Sequence, residues 1–366
     1  MIEVIEATGS LDGFILFPLK LHAGDPHFVP QLTRDMRAHF SADNPFMRHT
    51  RVRYFVARRA GKIEGRIASF INPLHNKVHR DKTGFFGFFD AVEDTEVAGA
   101  LFDRAAGHLK EEGMTRIRGP MNFSTNEECG FLLEGFDEPP MLMMPYNRPY
   151  YNRLAGDCGM EKAKDLYAYI YPVRDRLPEK VLRVAAIAEK RGISVRPFQM
   201  KRFEEEMMIF KEVYNSAWEN NWGFIPMTDE DILYAGGKLK QIIVPELTFV
   251  AEDDGRPVGF MGLVPDFNMV LAKMKGSLNP VSIAKALYYS RRITDLRLML
   301  LGIKKEFRNK AVDALLLREG YYAVRRGGYN RIEFSWILED NFAVQNIIEM
   351  IGGRLYKQYR IYEKSI

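Results

Sequence analysis

Two stretches of the chain repeat one pattern of apolar and polar positions. Residues 54–70, YFVARRAGKIEGRIASF, and 248–264, TFVAEDDGRPVGFMGLV, each read as an apolar run, a polar turn containing Gly, and a second apolar run broken by Gly. That is a β-hairpin signature. A second pair, GMEKAKDLYAYIY from Gly159 and GRLYKQYRIYEK from Gly353, keeps the offset of 194 positions that separates 54 from 248. Between these anchors both halves run strand, helix, strand. The first has GFFGFFDA (84–91), a helical stretch at 95–112 and TRIRGP; the second has LRLMLLGI (296–303), a helical stretch at 311–326 and NRIEFSW. One unit is therefore expected twice. Its element order predicts an α/β protein with a mixed sheet and helices on both faces. The amphipathic stretch 177–196, soon after Pro172, reads as the crossing between halves, so the expected domains are 1–172 and 173–366.

Composition narrows the class. Of the 366 residues, 46% are hydrophobic and 27% charged, as in a soluble globular protein. A net charge of +4 is too mild to imply nucleic acid. Two cysteines, Cys129 and Cys158, make no disulfide framework and point to a reducing compartment. The first residues are acidic where a secretion signal would be basic, and no window approaches a membrane span. The expected location is the cytoplasm, with peripheral contact to the inner membrane left open by an insertion considered below.

The turn inside LGIKKEFRNKAVDALLL (301–317) carries the most specific signal. It joins a strand to a helix through Arg308, Asn309, Lys310, Ala311 and Val312, a basic turn without glycine. This segment, followed by SWILEDNFAVQNIIEMIGGRLYKQYRIYEK, resembles the coenzyme-binding part of the GNAT superfamily, which transfers acyl groups from coenzyme A. NPFMRH, GFFGFFDA, GPMNFSTNEECGFLLEGF, NNWGFIPMT and SWILEDN further resemble a bacterial family of tandem GNAT-like proteins, some of whose members are implicated as ceramide synthases. The resemblance implies two tandem GNAT-like domains, each a mixed, mostly antiparallel sheet flanked by helices. It implies an acyl-CoA co-substrate and an amine acceptor, a long-chain sphingoid base being one candidate.

The superfamily's loop usually reads Arg/Gln-x-x-Gly-x-Gly/Ala. Here Arg308 fits the basic position, Ala311 stands at the first glycine and Asp313 at the second small residue. Backbone N–H groups and a helix dipole still bind an anion if such a turn avoids positive φ. The expected coenzyme contacts are Leu301, Ile303, Phe307, Arg308, Asn309, Lys310, Ala311, Val312 and Asn341; the alternative is a solvated basic helix start. In the first half, Asp90, Glu93, Asp94 and Glu96 stand where phosphates would sit, and Asp94 or Thr95 reads as an N-cap. One coenzyme site, in the second half, is expected.

N-acylation requires a positioned thioester, a base for the ammonium and a proton for the thiolate. Glu333 is the candidate base, and alternation along its strand puts Ser335 on the same face, toward substrate or toward solvent. The helix FAVQNIIEMI lacks the tyrosine that the superfamily often uses, leaving Tyr356 or Tyr359 as substitutes or as packing residues. Trp222 and Phe224, with Trp218, line an acceptor site or pack a core. Asn122, Ser124 and Asn126 form a cleft wall or a turn. The insertion from Asn268, rich in Met and Leu with Lys273, Lys275, Lys285, Arg291 and Arg292, packs on the sheet or lies on an anionic membrane. His75 and His79 lack a third ligand, and Pro73 argues for a loop, so no metal is expected. Two rivals stand beside the acyltransferase: an aminoacyl-tRNA-dependent transferase of the Fem type, and a non-catalytic binding protein.

Overall fold

A computed structural model describes residues 1–174 and 176–366. The first repeat contains β1 (Ile2–Glu6), α1 (Asp12–Leu21), α2 (Thr33–His39), α3 (Phe46–His49), β2 (Arg51–Arg59), β3 (Lys62–Ile71), α4 (Pro73–His79), β4 (Thr83–Ala91), α5 (Thr95–Glu111), β5 (Arg116–Gly119), β6 (Phe131–Glu134), α6 (Tyr151–Asp157) and β7 (Glu161–Pro172). The second contains α7 (Glu179–Lys190), β8 (Ile193–Pro197), α8 (Phe203–Trp218), α9 (Asp229–Leu239), β9 (Thr248–Asp253), β10 (Arg256–Pro265), α10 (Asn268–Met274), α11 (Pro280–Ser290), β11 (Asp295–Ile303), α12 (Val312–Gly327), β12 (Arg331–Leu338), α13 (Phe342–Ile351) and β13 (Arg354–Ser365).

The described residues form two compact units, each a mixed, mostly antiparallel sheet flanked by helices. Unit 1 takes 1–167, 268–289 and 356–366; unit 2 takes 168–267 and 290–355. In unit 1 the strand order is β1-β2-β3-β4-β5-β13, with β6 also on β13, and only β4–β5 is parallel. In unit 2 the end of β7 begins the order β7-β12-β11-β10-β9-β8, with β11–β12 parallel. The closing strands are thus exchanged: β13 completes the sheet built on β5, and the end of β7 lies beside β12. The compact units therefore do not part at 172/173, because a repeat in sequence does not say which copy its last strand pairs with.

Each central strand is covered by a helix whose pattern explains its burial. In α5, Val97, Ala98, Leu101, Phe102, Ala105 and Leu109 recur at helical spacing and are all buried. Gly84 on β4 leaves the space that Leu109 fills; a Cβ there would lie 2.5 Å from Leu109 Cδ2. In α12, Val312, Leu315, Leu316, Ala323 and Val324 do the same, and Gly328 ends the helix in the left-handed region at φ 72°.

Two local expectations change. Pro73 does not hold a loop: it sits in the first turn of α4, where a missing N–H costs nothing, and Asn72 caps the helix through His75 N. The insertion also divides. Helix α10 buries Val270, Leu271 and Met274, whereas α11 is largely exposed.

Candidate active site

In unit 2 the two parallel strands pair only at their beginnings. Asp295, Leu296, Arg297 and Leu298 face Arg331, Ile332, Glu333 and Phe334, and the register ends there. A bulge at Met299 accompanies the separation, since Gly262 pairs with Leu300 and Leu263 with Leu298. Beyond it Leu300, Leu301 and Ile303 on one strand, and Trp336, Ile337 and Leu338 on the other, are partly exposed. Two strands that part leave inward edges with backbone donors and acceptors. An extended ligand carrying amides can complete both ladders.

The basic turn stands at the far end of β11. Lys305–Phe307 form a short 3-10 turn, and Ala311 is the N-cap of α12 without any side-chain cap. The turn does not avoid positive φ: Asn309 lies at 66° and Ala311 at 65°. Ala311 thus holds the conformation that the usual glycine would hold, at a steric cost. The charges are not all available. Lys304 Nζ pairs with Glu212 at 2.5 Å, and Lys305 pairs with Glu219, both partners on or just after α8. Arg308 is exposed and donates to Ala217 O at 2.6 Å, and Lys310 lies over the Phe307 ring at 4.0 Å. Val312 is fully buried, so only its backbone can meet a ligand.

At the root of the splay lies a buried polar trio. Ser335 Oγ donates to Glu333 Oε1 at 2.5 Å, and Arg297 Nε donates to Ser335 Oγ at 2.8 Å. Arg297 Nε lies 3.7 Å from Glu333 Oε1, an ion pair buried from solvent on both sides. Glu333 is 0% exposed, so it reaches any substrate through a neighbour. The shared face of Glu333 and Ser335 followed from strand alternation. Arg297 was missed, because its partnership depends on the register of β11 against β12. Its one sequence signal is a charge inside the apolar run LRLMLLGI.

Asn341 caps α13, accepting from Val344 N at 3.4 Å. Phe224 is buried in the core with Phe210 and Tyr214, while Trp222 is half-buried. Trp218 covers the end of β11 so closely that a Cβ at Gly302 would overlap its ring. Tyr359 belongs to unit 1, fully buried on β13 opposite Leu132.

Unit 1 has the same bulged strand and helix, and both openings are filled. Phe88 bulges at φ 48°, and its N–H donates to Asn122 Oδ1 at 2.8 Å, while Met121 N donates to Phe86 O at 2.8 Å. A Cβ on Gly87 would overlap Met121 O, so the glycine lets this loop seal the strands. Asn122 is therefore a plug. Ser124 Oγ accepts from Asn126 N at 3.1 Å, which makes these two residues a turn. The start of α5 is closed as well, because Asp94 accepts from Glu96 N and Val97 N and pairs with Arg59 at 2.7 Å. Asp90 is buried against Arg66 and His22; burial raises its pKa, but these two partners outweigh it and hold the carboxyl below its usual value.

Among the described residues no group of three His, Cys, Asp or Glu is placed to hold a metal ion, and no helix is long and apolar enough to cross a membrane. No protein-family model matches the chain. Whole-length relatives do match. Protein YghO of Escherichia coli (strain K12) is 37% identical over 364 residues, spanning 97% of this chain and 93% of that protein. The bacterial ceramide synthase of Caulobacter vibrioides is 34% identical over 370 residues, spanning 99% and 96%. A solved tandem GNAT protein from the clavulanic acid biosynthesis pathway shares the fold with a TM-score of 0.60 at 14% identity, covering all of this chain and 98% of that one. A GCN5-related N-acetyltransferase from Sphaerobacter thermophilus aligns with a TM-score of 0.55 at 10% identity, covering 100% and 95%. By its full-length relatives and its tandem GNAT fold, the chain belongs to the bacterial family that includes YghO and the Caulobacter ceramide synthase.

Proposed function

We propose that the protein is an acyl-CoA-dependent N-acyltransferase with one coenzyme site, in unit 2. The observation that carries this reading is a contrast within the chain. Unit 2 offers parted strands and an uncapped basic helix start, whereas unit 1 fills the same features with Asn122 and Asp94. The diphosphate would rest on the backbone of Arg308–Val312 with Arg308 and Lys310 beside it, and the amide-bearing arm would lie along Leu301 and Ile303. The coenzyme supplies an activated thioester. Acylation joins the acceptor nitrogen to the carbonyl carbon as the carbon–sulfur bond breaks, and the thiolate leaves with a proton from solvent. The ammonium loses one proton before attack, to the Ser335 hydroxyl, which gives its own to Glu333, and the nitrogen loses its second proton to solvent as the amide forms. Arg297 orients that hydroxyl.

The acceptor is an amine, and the Caulobacter relative's name supports a long-chain sphingoid amine. Calorimetry with acetyl-CoA and palmitoyl-CoA tests the site. Arg308→Glu is expected to abolish binding and Asp94→Ala to preserve it; retained affinity in Arg308→Glu would rule this site out. Turnover of an acyl-CoA on a sphingoid base without any tRNA separates this reading from the Fem-type transferase. Binding without turnover on any amine would leave the non-catalytic reading.

A further inference from the structure

Helix α11 wears its pattern inside out. A surface helix of a soluble protein buries its large apolar side chains and exposes its polar ones. Here Ser282, Ala286 and Tyr289, spaced i, i+4 and i+7, form the inward stripe, with Ser282 buried and the other two half-buried. The large apolar residues face out: Val281 and Leu287 are each 65% exposed, Tyr288 52% and Ile283 47%, with Leu278 exposed just before the helix.

The segment that leads into the helix is tied to unit 1. Asn268 Nδ2 donates to Pro140 O at 2.9 Å, Thr33 N donates to Gly276 O at 3.3 Å, and Asn279 Oδ1 accepts from Ser282 N at 2.8 Å at the helix start. Val270, Leu271 and Met274 of α10 are buried, and Ser282 Oγ of α11 donates to Met274 O at 3.4 Å. The outward apolar face is thus displayed on a fixed base.

Charge selects the occupant. From 267 to 294 the chain has no acidic residue, and Lys273, Lys275, Lys285, Arg291 and Arg292 are all exposed. Two-fold pairing with a second copy would bring these cations together, a like-charge arrangement that opposes association. An anionic bilayer complements them. Eleven residues make a helix of roughly 16 Å, long enough to lie in the interface and too short to cross it.

We propose that α11 is an in-plane membrane anchor that seats Val281, Ile283, Leu287 and Tyr288 among the acyl chains of an anionic bilayer, with Lys273, Lys275 and Lys285 at the headgroups. None of these residues has a part in the proposed reaction, so the test does not depend on it. The full chain is floated with vesicles of phosphatidylcholine alone and of phosphatidylcholine mixed equally with phosphatidylglycerol, at low and high salt. Size exclusion with light scattering runs in parallel. The chain is expected to float with the anionic vesicles at low salt and to do so several-fold less at high salt. The exposed double variant Val281→Ser/Leu287→Ser should lose flotation while its thermal melt stays unchanged. Absence of flotation at low salt would overturn the proposal, as would flotation that the folded double variant retains. A dimer that the double variant dissociates, without any flotation, would assign this face to a second copy instead.

Discussion

Arg297, Ser335 and Glu333 show how far single residues could be read from the sequence. Strand alternation put Glu333 and Ser335 on one face, but it could not say whether that face met solvent. The partner that buries it, Arg297, lies 36 positions away and meets Glu333 only through the parallel register. Removing one member of a buried pair leaves the other charge uncompensated. Arg297→Leu is therefore expected to cost about 3–5 kcal/mol of unfolding free energy in urea, and Arg297→Leu/Glu333→Leu should recover most of that. A double variant as unstable as the single one would deny the coupling. His75 gives a second residue-scale test. Burial first, then the neighbouring His79, push its pKa from 6.5 down to about 4, against the pull of Asp81. Between those values the unfolded chain binds a proton that the folded chain refuses. Stability is thus complete above pH 6.5 and falls as the pH drops toward 4, by about 3 kcal/mol over the whole window. Urea midpoints at neutral and mildly acidic pH should show the slope, and His75→Gln should flatten it. An equal slope in the variant would place the proton uptake elsewhere.

At the scale of elements, the two helix starts were legible as acidic and basic, and that contrast survives as a capped and an uncapped terminus. What the sequence concealed was how the glycine-free turn closes. It uses left-handed backbone at Asn309 and Ala311, and α8 neutralises two of the lysines counted toward the anion. Such pairings join segments some 90 positions apart, and no local pattern reports them. The strain can be measured. An alanine in the left-handed region costs about 1–2 kcal/mol, while a glycine there loses part of that gain to greater freedom in the unfolded chain. Ala311→Gly should therefore raise stability by about 0.5–1 kcal/mol and leave coenzyme affinity equal or tighter. A destabilised variant would mean that the Ala311 methyl makes contacts worth more than the strain it imposes.

At the scale of the whole molecule, the repeat was readable because equal offsets at both ends cannot arise from composition alone. The fate of the closing strands was not readable. GMEKAKDLYAYIY and GRLYKQYRIYEK are equivalent in pattern, so either could close either sheet. The long-range contacts decide it: Tyr362 pairs with Gly119 and Ser365 with Arg116, which sets the end of the chain in unit 1. Arg118 donates to Glu363 at 2.8 Å, and Arg360 pairs with Asp165 at 2.7 Å, both within that unit. Residues 1–172 alone would therefore leave β5 with an unpaired edge and the apolar side of β13 missing from the core that includes Tyr362. The fragments 1–172 and 173–366, expressed separately, are expected to aggregate or to lack cooperative melts. Co-expressed, they should purify together as a complex with a single melting transition. A fragment 1–172 that stays soluble and melts cooperatively on its own would show that the first repeat closes its sheet without the last strand of the second.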